Sequence, residues 1–162
     1  MGKSCMGRAI AKHFNMKLVD GDKVIEKVEG RKLQEIMDAE GIEGFKRIEE
    51  RVLLSIDDEN MVFTPGGSAV YYPAVMEKFK RTGIVVYLYA SAEVIKNRAV
   101  DFSKRGVVLK PGMTMDDLYN ERAPLFEKYA DVTINCNGTA FGRYKAEGIR
   151  KIANHLNKTG QK

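Results

Sequence analysis

MGKSCMGR, residues 1–8, decides how the rest of the chain is read. Gly2-Lys3-Ser4 followed by apolar residues at helical spacing is the back half of a phosphate-binding loop, whose full pattern is G-x-x-x-x-G-K-[ST]. In that pattern backbone N–H groups ring the phosphate oxygens at a helix N-terminus. The lysine brings charge to the transferring phosphate, and the hydroxyl reaches a magnesium ion. Gly2 then stands as the second motif glycine, Lys3 as the phosphate lysine and Ser4 as the metal-side hydroxyl. Neither the first motif glycine nor the apolar strand that precedes such a loop lies in the chain, which starts at Met1. On these residues alone, an ordinary helix capped by Ser4 is an equal reading.

Working outward, Ser4 to Phe14 carries Met6, Ile10 and Phe14 at helical spacing. Lys17-Leu18-Val19-Asp20 is a short apolar run ending in an acid, as a buried parallel strand would. Helices are expected over residues 23–29, stopped by Gly30, over 32–39, followed by Gly41, and over 42–56, where Phe45, Ile48, Val52 and Ile56 form an apolar stripe. Met61 to Thr64 reads as a second strand, broken by Pro65-Gly66-Gly67-Ser68. Pro73 opens a helix to Thr82. Residues 84–89, IVVYLY, are the clearest strand. Ser91 caps a helix that reaches about Val100, and Thr114 caps another containing Leu118, Arg122 and Phe126. A strand over 132–135 and a helix over 144–156 complete the pattern, with 157–162 as a frayed tail. Strands alternating with helices predict a three-layer α/β fold, a parallel sheet flanked by helices, here without its first strand. Ligands in such folds bind at the carboxyl ends of strands. Lys3 and Ser4, Asp20 and Asp22, and Gly66 and Gly67 all fall there.

At 162 residues the chain is expected to form a single domain. It has no apolar stretch of about 18 residues, so no membrane-spanning helix is expected, and no signal-peptide pattern. Cys5 and Cys136 give no disulfide framework, which fits reduced thiols in a cytoplasm. The net charge of +5 suits anionic small molecules. A lysine-rich solvated surface explains that charge equally well. No run of five basic residues points to nucleic acid.

Taken in order, these pieces resemble the shikimate kinases, small-molecule kinases of the P-loop group. G-K-S-x-x-G-R comes first, and L-V-D-G-D is similar to the family's D-x-D. E-G-F-K-R-I-E-E is similar to its G-E-x-x-F-R-x-x-E, and P-G-G-S-A-V stands where G-G-G-A-V is usual. The stretch 85–93 is similar to its V-Y-L-x-x-S/x-x-E, and E-R-A-P-L-F to its R-x-P-L-Y. The resemblance implies transfer of the γ-phosphoryl group of ATP to a hydroxyl of shikimate or a similar hydroxy acid, with Mg2+. It implies Asp22 as the base on the attacking hydroxyl, with Lys3 and Arg105 as the other catalytic residues. Ser4 and Asp20 would hold the metal. Gly2, Lys3, Ser4, Cys5, Arg98 and Arg105 would bind the nucleotide. Asp22, Lys46, Gly66, Gly67, Ser68 and Arg122 would bind the substrate, Arg122 as a planar fork on its carboxylate. Residues 23–56 form the substrate-binding helical segment. Residues 103–113, without periodicity and bearing Lys104, Arg105 and Lys110, form a lid that orders with ATP. A monomer is expected.

Two positions depart from the family pattern. Lys46 replaces an arginine and so loses the bidentate fork, while Ser68 replaces the third glycine. Both touch the acceptor side, so another small-molecule kinase of the same fold and a catalytically inactive nucleotide-binding remnant stay open as alternatives. Without the first strand, the sheet is expected to be weakly stable and to hold ATP weakly.

Overall fold

The computed structural model describes residues 2–98, 112–138 and 141–160. They form two compact units, one over residues 3–78 and the other over residues 79–162 with the first two residues.

In the unit of residues 3–78, α1 (Lys3–His13) leads to β1 (Lys17–Asp20), then α2 (Gly21–Glu29) and α3 (Leu33–Leu54). β2 (Met61–Thr64) follows, then one 3-10 turn over Ala69–Tyr71 and the start of α4 (Pro73–Thr82). β1 and β2 pair in parallel, with Lys17 opposite Met61 and Asp20 opposite Thr64. Their carboxyl ends therefore finish level, which brings Asp20 beside the loop after Thr64. α1 lies over this pair with Met6, Ile10 and Ala11 buried. The approach is close: a β-carbon on Gly7 would come 2.9 Å from Thr64 Cγ2 and 3.0 Å from Leu18 Cδ1. α2 and α3 close a core of Ile25, Ile36 and Val52, packed by Val24, Leu33, Phe45 and Ile48. The helices expected over 32–39 and 42–56 are the two segments of α3, separated at Gly41, whose backbone is not helical (φ 67°, ψ −177°). A backbone there with positive φ is open to glycine at little cost.

In the second unit β3 (Val86–Tyr89) pairs in parallel with β4 (Val132–Asn135), Val86 opposite Val132. The strand expected from residue 84 is thus two residues shorter. Asp131 anchors its start, accepting from the Val85 N–H at 2.8 Å and pairing with Lys80 at 2.6 Å. α5 (Ala92–Arg98) begins at Ser91, whose Oγ accepts from the Val94 N–H. α6 (Met115–Tyr129) starts in a reciprocal cap between Thr114 and Asp117, and its Phe126 stacks on Tyr87 at 5.2 Å. α7 (Phe141–Thr159) is longer than the helix expected over 144–156, so 157–159 continue it rather than fray. Among the described residues each sheet has two strands, and none of the helices is long and apolar enough to cross a membrane. Most of the expected lid, 103–111, lies outside the described residues.

α7 meets β4 at Gly148, where an added β-carbon would fall 2.5 Å from Cδ1 of the fully buried Ile134. Gly148→Ala is therefore expected to lower stability by about 1–3 kcal/mol through overpacking. Adding Ile134→Val, which removes that methyl, should recover part of the loss. Urea unfolding of the single and double variants checks this, and an additive double variant would contradict it.

Candidate active site

The candidate site grows from the ends of β1 and β2. Asp20 closes β1 and caps α2: its Oδ1 accepts from the N–H of Asp22 at 3.1 Å and of Lys23 at 3.5 Å. A carboxylate cap on orphan helix N–H groups explains why the chain turns into a helix here. It also fixes Asp22 in the first turn of α2. The intervening Gly21 packs closely on the other strand's exit, since a β-carbon there would meet Pro65 Cα at 3.0 Å.

Beyond β2, Gly66 enters a turn in which its carbonyl accepts from the Ala69 N–H at 3.3 Å. A β-carbon on Gly66 would lie 2.9 Å from Glu49 Oε1, 3.3 Å from Ser68 Oγ and 3.5 Å from Asp22 Oδ1. Two carboxylates and a hydroxyl thus face one bare Cα. Glu49, on α3, is 1% exposed and the one buried charged residue among those described. Its Oε1 accepts from Ser68 Oγ at 2.7 Å, and its Oε2 accepts from the Tyr72 hydroxyl at 2.8 Å. Buried charge needs such donors, because leaving it unpaired costs several kcal/mol (roughly 3–5). Burial, then the Glu49 charge and hydrogen bond, push the Tyr72 hydroxyl well above its ordinary range, so it stays a donor.

The Asp22 carboxyl is raised from its ordinary value, first by withdrawal from water, then by the charges of Asp20 and Glu26, while Lys3 opposes the shift. Lys3, at the start of α1, thus acts on the same carboxyl as Asp20. Ser4 is exposed one residue on, its carbonyl accepting from Arg8 Nε at 3.2 Å. Cys5 is exposed, with Arg8 Nη2 4.0 Å from its sulfur. Gly2 takes a positive φ of 92°.

The structure therefore brings together Asp20, Asp22, Gly66 and Ser68, with Lys3 acting on Asp22, and Gly67 next in the turn. Lys46 Nζ pairs with Glu43 at 2.6 Å on the same helix. Arg122 is half-buried on α6 in the second unit. Arg98 closes α5, and Arg105 lies outside the described residues. Sequence reasoning passed over Glu49 and Tyr72. The signal for Glu49 was its spacing, four residues after Phe45 and three before Val52, which sets a carboxylate on the apolar stripe of a helix.

A helix opening on Gly-Lys-Ser, an acid at the end of one parallel strand and a glycine turn at the end of its neighbour define a nucleotide-dependent phosphotransferase of the α/β class. The chain belongs to the shikimate kinase family, whose sequence model, described as shikimate kinase, matches residues 1–157. It is similar to a shikimate kinase of Thiobacillus denitrificans, 34% identical over 137 residues, covering 83% of this chain and 75% of that protein. A shikimate kinase of Francisella tularensis subsp. novicida is 35% identical over 141 residues, covering 85% and 80%. Among solved structures, a shikimate kinase from Acinetobacter baumannii in complex with shikimate aligns with TM-score 0.80 and 30% identity, covering 99% of this chain and 89% of that one.

The raised Asp22 carboxyl makes a stability prediction. The folded state holds this proton more tightly than the unfolded chain, so stability contributed here is full below the ordinary carboxyl value of 3.8 and is lost as pH rises through the raised one. Asp22→Asn is therefore expected to raise the thermal midpoint at neutral pH, with the gain shrinking as pH falls toward the ordinary value. A variant that melts lower than the parent at neutral pH would contradict this electrostatic picture.

Proposed function

We propose that this protein transfers the γ-phosphoryl group of ATP to a ring hydroxyl of shikimate. The observation that carries the reading is the convergence of the Asp22 and Glu49 carboxylates on the bare Cα of Gly66, at the ends of two parallel strands. The complex of a similar protein with shikimate supports the choice of acceptor. In this reading Asp22 accepts the proton of the acceptor hydroxyl as its oxygen bonds to the γ-phosphorus. The bond from that phosphorus to the bridging oxygen breaks, and ADP leaves with the electron pair. A carboxylate whose proton affinity is raised is the better base for this proton. Lys3 spreads the phosphate charge, and Gly2, Ser4 and Cys5 line the phosphates with backbone N–H groups. Arg98 and Arg105 serve the nucleotide. Arg122 forks the acceptor carboxylate, while Gly66, Gly67 and Ser68 approach its ring.

Magnesium fits the residues present. The Ser4 hydroxyl and the Asp20 carboxylate are hard oxygen donors, few enough for an ion that keeps several waters and its phosphate ligands. Asp20 engages α2 through Oδ1 alone, leaving Oδ2 for such a role. Such an ion would supply positive charge against the charge that develops on the phosphates. The same reading takes residues 1–162 as one kinase domain, a cytoplasmic monomer without nucleic-acid or membrane partners. The pairing of Lys46 with Glu43 favours a second reading on the acceptor side alone, in which another hydroxy acid replaces shikimate.

Turnover of Asp22→Asn tests the assignment. The variant should lose about 10²–10⁴ in rate with ATP affinity unchanged, the usual worth of a positioned base. Coupled assays with shikimate and a panel of hydroxy acids measure this. Retention of more than about a tenth of the parent rate at saturating acceptor would contradict the role of Asp22.

A further inference from the structure

We propose that Ser68 and Tyr72, acting through Glu49, are positioning residues that set acceptor affinity. This rests on the acceptor lying against Gly66, as proposed above. Ser68 has φ −79° and ψ −19°, an ordinary right-handed backbone, so a side chain is carried there without strain. Its hydroxyl donates to Glu49 Oε1 at 2.7 Å, the same oxygen that stands 2.9 Å from where a β-carbon of Gly66 would be. Tyr72 grips the other oxygen from the far side of the 3-10 turn, at 2.8 Å. The 3-10 turn over Ala69–Tyr71 is thus clamped at both ends to one carboxylate on α3. Tyr72 is 6% exposed and its acceptor Glu49 1%, so water cannot easily replace the Tyr72 donor.

The clamp acts on position. It holds the Gly66 backbone against the Asp22 carboxyl, and it places two hydroxyls of this chain on the Glu49 carboxylate. Lys46 pairs with Glu43 on the same helix, while position 68, glycine in the family pattern, here supplies one of those hydroxyls. Removing the Ser68 hydroxyl takes one tie away from Oε1 and loosens the turn, without touching the nucleotide side.

The test compares the parent with Ser68→Ala, Ser68→Thr and Tyr72→Phe, in steady-state assays that vary acceptor and ATP separately. Ser68→Ala is expected to raise the acceptor KM about tenfold, the scale of a lost hydrogen bond to a charged group, with the ATP KM unchanged. Tyr72→Phe should shift the same constant in the same direction, and Ser68→Thr, which keeps the hydroxyl, should restore most of the parent value. A purely structural role would move both KM values, or the melting temperature alone. An acceptor KM within twofold of the parent in both Ser68→Ala and Tyr72→Phe, or equal rises in the two KM values, would overturn the clamp while leaving the activity intact. Absence of turnover by the parent with every acceptor tried would overturn both the clamp and the activity beneath it.

Discussion

A carboxylate with almost no contact with water cannot be left without donors, and Glu49 is such a group. Its need for two donors ties the middle of α3 to the segment after β2, through Ser68 and Tyr72. That tie fixes where the chain turns at Gly66. The parallel register of β1 with β2 does the rest, because Asp20 opposite Thr64 places the first turn of α2 beside the same loop. The Asp20 cap then presents Asp22 to Gly66. One buried charge and one missing side chain thus decide the geometry of the acceptor side.

The charge arrangement runs against stability. Asp22 sits among Asp20 and Glu26, and only Lys3 among its strong neighbours favours the ionised form. A helix N-terminus ordinarily welcomes an acid, and the shift here is upward, led by withdrawal from water and the charge of Asp20. Groups held in such surroundings are typical of sites where chemistry needs a shifted proton affinity. Away from the site the acids are conventional: Asp131 anchors the start of the second strand pair through Val85 and Lys80, and Asp117 closes the cap of α6.

Much of this was legible in the residues. Asp20 at the end of an apolar run, the break at Pro65-Gly66-Gly67, and Thr114 ahead of α6 are local signals, set by backbone chemistry within three or four residues. They placed β1, β2, β4 and most helices, and put Asp20, Asp22, Gly66 and Gly67 on one rim. What was not legible depends on distant partners. Glu49 hid inside a quoted motif, since its partners arrive 19 and 23 residues later.

The account turns on the bare Cα of Gly66 as the place where Asp22, Glu49 and the acceptor meet. Gly66→Ala addresses that directly, since its methyl would press on Glu49 Oε1, Ser68 Oγ and Asp22 Oδ1 at 2.9, 3.3 and 3.5 Å. Measured together, ATP binding by calorimetry and phosphorylation of shikimate should separate. Binding of ATP is expected to match the parent, while acceptor turnover falls by about 10²-fold, the scale of a displacement near 1 Å at reacting groups. A variant that phosphorylates shikimate at the parent rate would contradict the account.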